Sequence, residues 1–229
     1  MVNTEKIIAA LKEQETEIVS RIANKENVSK LVSISYSNIK MGKVASVSIL
    51  PILTCPGCCI GSCGEKCYAL KIANLRPSVR KAYARNTAIA KHAMKAFFKA
   101  INIAVQNVRF FRFHVSGDIL NSEYFNEMIK TAKKNQHCQF LVFTKKYSVV
   151  NEYIESGKTI PENLHILFSG WTNLQPVNPH NLPETMVYNT ESEFNPNWKH
   201  CGGNCLNCAV AGSGCWTAKS GDTIAFKMH

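Results

Sequence analysis

The sequence predicts an α/β fold built on a parallel sheet, and three observations carry that prediction. Short apolar runs recur at about 28-residue intervals, each run ends in a polar tip, and a helical pattern follows the first two tips. The runs are 109–115, 139–143 and 164–168. Their tips are Ser116-Gly117-Asp118, Thr144-Lys145-Lys146 and Ser169-Gly170-Trp171. With 229 residues, 45% of them hydrophobic, the chain can bury one substantial core. Residues 1–29 read as an N-terminal helix and 30–229 as a single Cys-rich α/β domain. Within it lie a first cysteine knot at 55–67, a βαβ region at 78–190 and a second knot at 201–215.

In order along the chain, Ile7, Ile8, Leu11, Ile18 and Ile22 recur at helical spacing and predict a helix over 4–24, with Thr4 as candidate N-cap. Residues 30–36 and 44–50 alternate as strands do, predicting a β-hairpin that leads straight into the first knot. Pro51 and Pro56 end the second strand. From Ser78 to about Gln106 one long amphipathic helix is expected, with its cations on one half and Val79, Ala82, Ile89, Phe97 and Ile101 on the other. Further helices are expected from Ser122 and Ser148, a short strand at 185–189 and a closing strand at 224–228. Residues 172–197, rich in Pro and Asn, read as a loop approaching the second knot.

Nine of the ten cysteines sit in two Gly-rich runs. Cys55, Cys58, Cys59, Cys63 and Cys67 form the first, Cys201, Cys205, Cys208 and Cys215 the second, and Cys138 stands apart. Thiolates this dense repel one another unless a cation or an iron–sulfur core neutralises them, and glycines let several sulfurs turn toward one centre. One or two [4Fe–4S] clusters are the expected cofactor, with Zn2+ as the alternative. In the first knot Cys58 or Cys59 would join Cys55, Cys63 and Cys67 as fourth ligand. A single centre shared by both knots is a third arrangement. No apolar run reaches about 18 residues, so no membrane helix is expected. The first ten residues lack a basic leader followed by an apolar stretch, and the expected compartment is reducing cytoplasm.

The net charge of +11 is concentrated. Between Lys66 and Gly117 there is no acid, while eleven cations fall there. Arg76, Arg80, Lys81, Arg85, Lys91, Lys95 and Lys99 would contact nucleic acid or another polyanion, or would simply form a solvated face. In parallel α/β sheets chemistry collects at the carboxyl ends of strands. That makes Ser116, Gly117, Asp118, Ser169, Gly170 and Trp171 candidate cofactor-binding residues, and His114, Ser116, Asp118, Thr144 and Lys145 candidate catalytic ones. The Asp118 carboxylate also reads as a cap for the next helix, and His114 as a satisfied core histidine. The Gly-rich pieces match no phosphate-binding loop.

Thr54-Cys55-Pro56, Cys63-x3-Cys67-Tyr68-Ala69, Phe113-His-Val-Ser-Gly-Asp118, Asn38-Ile-Lys40-Met-Gly42 and the closing Cys-x2-Cys…Cys215-Trp216 together resemble the phage gene product 88 family over roughly residues 30–220. With Val142-Phe-Thr-Lys-Lys146 they are also similar to radical S-adenosylmethionine enzymes. That likeness implies a partial parallel (β/α) barrel carrying a [4Fe–4S] cluster and S-adenosylmethionine, and for a phage-encoded chain the host cytoplasm. Radical enzymes carry Cys-x3-Cys-x2-Cys after the first strand. Here Cys59-x3-Cys63-x3-Cys67 stands in that place, one residue too long, while Cys201-x3-Cys205-x2-Cys208 has the spacing at the other end. Three functions follow as expectations: an iron–sulfur protein acting on or near nucleic acid, a radical-S-adenosylmethionine-like enzyme, and a zinc-stabilised interaction protein that modifies a host pathway, with a host protein as partner.

Overall fold

The computed structural model describes residues 3–57 and 63–228. Cys58 and Cys59, two of the predicted ligands, lie outside the described residues. The described residues form a mixed α/β fold, with seven helices and one eight-stranded, mostly parallel sheet. The strands are β1 (Ile34–Ser35), β2 (Ala45–Val47), β3 (Phe110–Phe113), β4 (Gln139–Thr144), β5 (Leu164–Ser169), β6 (Glu184–Tyr188), β7 (Lys199–His200) and β8 (Thr223–Lys227). Their spatial order is β1-β2-β3-β4-β5-β6-β8-β7. Six strands, β2 through β6 and then β8, lie side by side in chain order and run parallel; β1 pairs antiparallel with β2.

The predicted hairpin is present but short, because residues 28–31 form a 3-10 turn instead of strand. Helix α1 (Glu5–Ala23) occupies the expected span, although the Thr4 side chain makes no cap bond. The long basic helix is two helices, α3 (Pro77–His92) and α4 (Met94–Ala104), broken at Ala93 with φ −146° and ψ 53°. Neither Pro nor Gly marks the break. The break turns Phe97, Phe98 and Ile101 of α4 onto the sheet, all of them buried. Helices α5 (Ser122–Lys134) and α6 (Tyr147–Glu155) follow β3 and β4 as expected. Three elements were not predicted: α2 (Tyr68–Leu75), β7 and α7 (Cys205–Ala211).

Alternation in the strands gives the sheet two different faces. Phe111, Phe113, Phe140, Val142, Leu164, Ile166 and Phe168 point toward α3, α4, α5 and α6 and form the main core. Leu141, Leu167 and Ile224, with Phe110 and Phe143, point the other way and meet Met41, Ala209 and Trp216. The second cysteine knot is therefore the cover of one sheet face. Trp216 anchors it: the indole meets the Phe110 ring edge-on at 5.3 Å and donates from Nε1 to the Cys205 carbonyl at 3.0 Å.

Candidate functional site

The loop after β3 folds back under the first knot. Ser116 donates from Oγ to the Ile49 carbonyl at 2.9 Å, and Ile49 N donates to the Ser116 carbonyl at 3.1 Å. Gly117 follows at φ +82°. A Cβ there would stand 2.5 Å from Ile49 Cγ1 and 2.7 Å from Thr54 Oγ1, so only glycine fits. The Thr54 hydroxyl donates to the Leu50 carbonyl at 2.6 Å and accepts from Asp118 N at 3.2 Å. Cys55 is thereby fixed beside the loop that carries Asp118.

Asp118 is buried and spans two strand ends. It accepts from Thr144 Oγ1 at 2.6 Å, Lys145 N at 2.8 Å and Ile119 N at 2.7 Å. Burial pushes its carboxyl above the usual carboxylate range, outweighing those three bonds and the nearby Lys145 charge. It does not cap α5, whose N-cap is Asn121, accepting from Tyr124 N at 2.8 Å. Lys145 Nζ reaches Ser169 Oγ at 2.8 Å, and Tyr147 donates to the Ser169 carbonyl at 2.5 Å. The structure thus brings Ser116, Gly117, Asp118, Thr144, Lys145 and Ser169 into one chain of contacts. A cavity of about 620 Å3 opens next to it, lined by Pro56 and Gly57 on the knot side and by Lys145, Lys146 and Tyr147 on the other.

Three predicted site residues lie elsewhere. His114 takes φ +57°, which breaks the strand alternation and turns its ring toward the helices. There Nε2 meets Tyr124 Oη at 2.9 Å, and burial, with Arg112 adding to it, pushes the imidazole down to about 3. His114 is a neutral core residue and does not face a cofactor. At the tip of β5 a Cβ on Gly170 would lie 2.2 Å from Met186 Sδ, and Trp171 exchanges backbone bonds with Leu174. That tip folds on its own turn, and neither Gly170 nor Trp171 lines the strand-end cavity.

The thiols gather in two separate groups. Burial pushes Cys55 up to about 12, with the charges of Asp118, Cys67 and Cys63 adding to it. Cys67 is raised by burial, opposed by the Leu70 N–H, which donates to its sulfur at 3.5 Å. In the second group burial pushes Cys215 up to about 12, with Cys201, Cys205 and Cys208 as neighbours. Cys55, Cys67, Cys138, Cys201, Cys205, Cys208 and Cys215 form no disulfide among the described residues. As they stand, no three Cys, His, Asp or Glu side chains among the described residues are placed to hold a metal ion. The donor set nevertheless suits one: buried thiols keep their protons until a cation draws them off. Glycines also leave space beside Cys208, whose sulfur lies 3.0 Å from a Cβ built on Gly202 and 3.3 Å from one on Gly214.

A sequence model of the gene product 88 family matches residues 9–209. The chain belongs to the gene product 88 family. No curated protein and no solved structure matches it. The family span takes in all three strand-end tips and all of the first knot, and stops within α7, before Cys215.

The predicted basic face divides on inspection. Arg80 donates to the carbonyls of Ala73 (2.8 Å) and Asn74 (3.2 Å) at the end of α2, and Arg85 to Ser33 Oγ at 2.7 Å. Lys81 pairs with Glu13 at 3.9 Å and Lys91 with Glu15, both acids from α1. Arg76, Lys95 and Lys99 are exposed. No helix among the described residues is long and apolar enough to cross a membrane.

Proposed function

We propose that this protein is a radical-S-adenosylmethionine-like enzyme whose first cysteine knot holds a [4Fe–4S] cluster at the carboxyl edge of the sheet. One observation carries the reading. The knot fills the loop after the first parallel strand, and the tips of the next strands supply Asp118, Thr144, Lys145 and Ser169 beside it. Six parallel strands side by side in chain order support the reading of a partial (β/α) barrel.

Cys55, Cys63 and Cys67 would hold the cluster, which when bound supplies a low-potential electron. Their spacing departs from the radical-enzyme pattern; what supports the set is that Cys63 and Cys67 lie near enough to Cys55 for their charges to raise it. The carboxylate of Asp118 is committed to Thr144 and Lys145, so its part is to hold two strand tips in register. Lys145 and Lys146 line the cavity together with Glu152 and Glu155, so its walls offer charges of both signs to a ligand that carries a carboxylate and an amine.

The test is anaerobic reconstitution followed by reduction with S-adenosylmethionine present. The reading expects methionine and 5′-deoxyadenosine, lost in Cys63→Ala and Cys67→Ala. A fully loaded, reduced protein that leaves S-adenosylmethionine intact overturns it. A polyanion contact is a second reading, favoured by the exposure of Arg76, Lys95 and Lys99.

A further inference from the structure

The second knot lies on the opposite face of the sheet from the helices, away from the strand-end cavity. Three features there do not belong to the site described above. The first is Arg112, on β3. Its Nη1 points at sulfur twice, 3.9 Å from Cys205 Sγ and 3.7 Å from Met41 Sδ. Its guanidinium lies 4.5 Å from the centre of the Phe143 ring, and its buried Nε has no partner. No carboxylate pairs with Arg112 among the described residues. A half-buried cation held against thiols and rings lacks its counter-charge.

The second feature is the approach of backbone to sulfur. The Gly203 N–H donates to Cys201 Sγ at 3.4 Å, and Gly202 and Gly214 leave room around Cys208 that a side chain would fill. The third is how firmly the knot is docked. Asn38 Oδ1 accepts from Met41 N at 2.8 Å and shapes the Asn38–Gly42 turn, whose Met41 carbonyl accepts from Leu206 N at 3.0 Å. A Cβ on Gly42 would stand 2.8 Å from Leu206 Cβ. The Asn-x-Lys-Met-Gly lead-in is therefore the seat on which α7 rests.

We propose that Cys201, Cys205, Cys208 and Cys215 hold a second metal centre, independent of the first, with Arg112 as the cation that balances its thiolate charge. This rests on the reading of the cysteines as metal ligands. Four protein thiolates fill every ligand position of a cubane, so this centre binds no substrate; it fixes the C-terminal cover on the sheet. In a cubane each thiolate meets a different iron. The four sulfurs, which as they stand are not placed to hold one metal ion, then need not converge on one point.

The experiment counts metal and acid-labile sulfide per chain after anaerobic reconstitution of the full chain. It compares the parent, a Cys63→Ser/Cys67→Ser variant and a Cys208→Ser/Cys215→Ser variant. The proposal expects each double variant to lose about half the metal. Full metal content in Cys208→Ser/Cys215→Ser overturns this proposal alone. Loss of all metal from both variants overturns independence and leaves the cluster reading standing. A parent chain that takes up no metal overturns both. Because the second-knot variant is also prone to misfold, Arg112→Met and Arg112→Lys give a separate reading by chelator challenge. Arg112→Met should release half of its metal at least about tenfold faster than the parent, with Arg112→Lys in between. An unchanged release rate in Arg112→Met overturns the role of Arg112.

Discussion

Thr144 donates from its hydroxyl to Asp118 Oδ1 at 2.6 Å, tying the end of β4 to the loop that follows β3. With Lys145 N on the other carboxylate oxygen, one buried side chain sets the spacing of two strand tips. The first knot leans on the same loop through Thr54.

Asp118→Ala should therefore cost about 3 kcal/mol, since it leaves buried donors unpaired. Asp118→Asn, which keeps an acceptor, should cost roughly half as much. Denaturant midpoints at constant slope check this; an Ala variant within about 0.5 kcal/mol of the parent would show that the carboxylate is dispensable.

Gly117→Ala combines a left-handed backbone with a clash against Ile49 and Thr54. A loss of about 2–3 kcal/mol is expected, together with reduced metal uptake at the first knot because Thr54 precedes Cys55. Gly157, with φ +76° and open space around it, is the control. There alanine bears only the backbone term, and metal uptake should be unchanged.

The buried imidazole of His114 sets a pH dependence. It is pushed down to about 3 when folded and returns to about 6.5 when unfolded, so the unfolded chain binds the extra proton. The contribution to stability is complete above about pH 6.5. It is lost as pH falls toward 3, at about 1.4 kcal/mol per pH unit. His114→Asn, whose side chain tolerates positive φ, should remove that part of the slope. Parallel pH profiles for parent and variant would refute the assignment.

The polyanion reading now rests on fewer cations than the helix pattern implied. Neutralising Arg76, Lys95 and Lys99 together should reduce the log–log salt slope of duplex binding by about 2–3, whereas Lys81→Ala and Lys91→Ala should change it by less than about 1. Arg80→Ala should instead destabilise the fold by about 1–2 kcal/mol, because it frees two carbonyls at the end of α2. Equal slope losses at all these positions would mean that the α1 acids do not shield α3.

Local signals carried much of the architecture. Alternation and polar tips located β3, β4, β5, β6 and β8 within a residue or two, because those strands are buried on both faces or end in strong turn residues. The strand-end cluster was legible for the same reason. What the linear pattern missed depends on distant partners. The break at Ala93 has no Pro or Gly to announce it. Arg80, Arg85, Lys81 and Lys91 look solvated until α1, α2 and Ser33 are placed beside them. His114 reads both as a strand-end candidate and as a satisfied core histidine, and the positive φ that turns its ring onto Tyr124 decides for the core. Arg112 reads as one more basic residue; only the fold sets it against Cys205.

The central claim is that these thiols hold iron and sulfide. Anaerobically reconstituted protein should be brown and carry about four or eight irons per chain with matching acid-labile sulfide. Colourless protein with about one or two zincs and no sulfide would contradict the account.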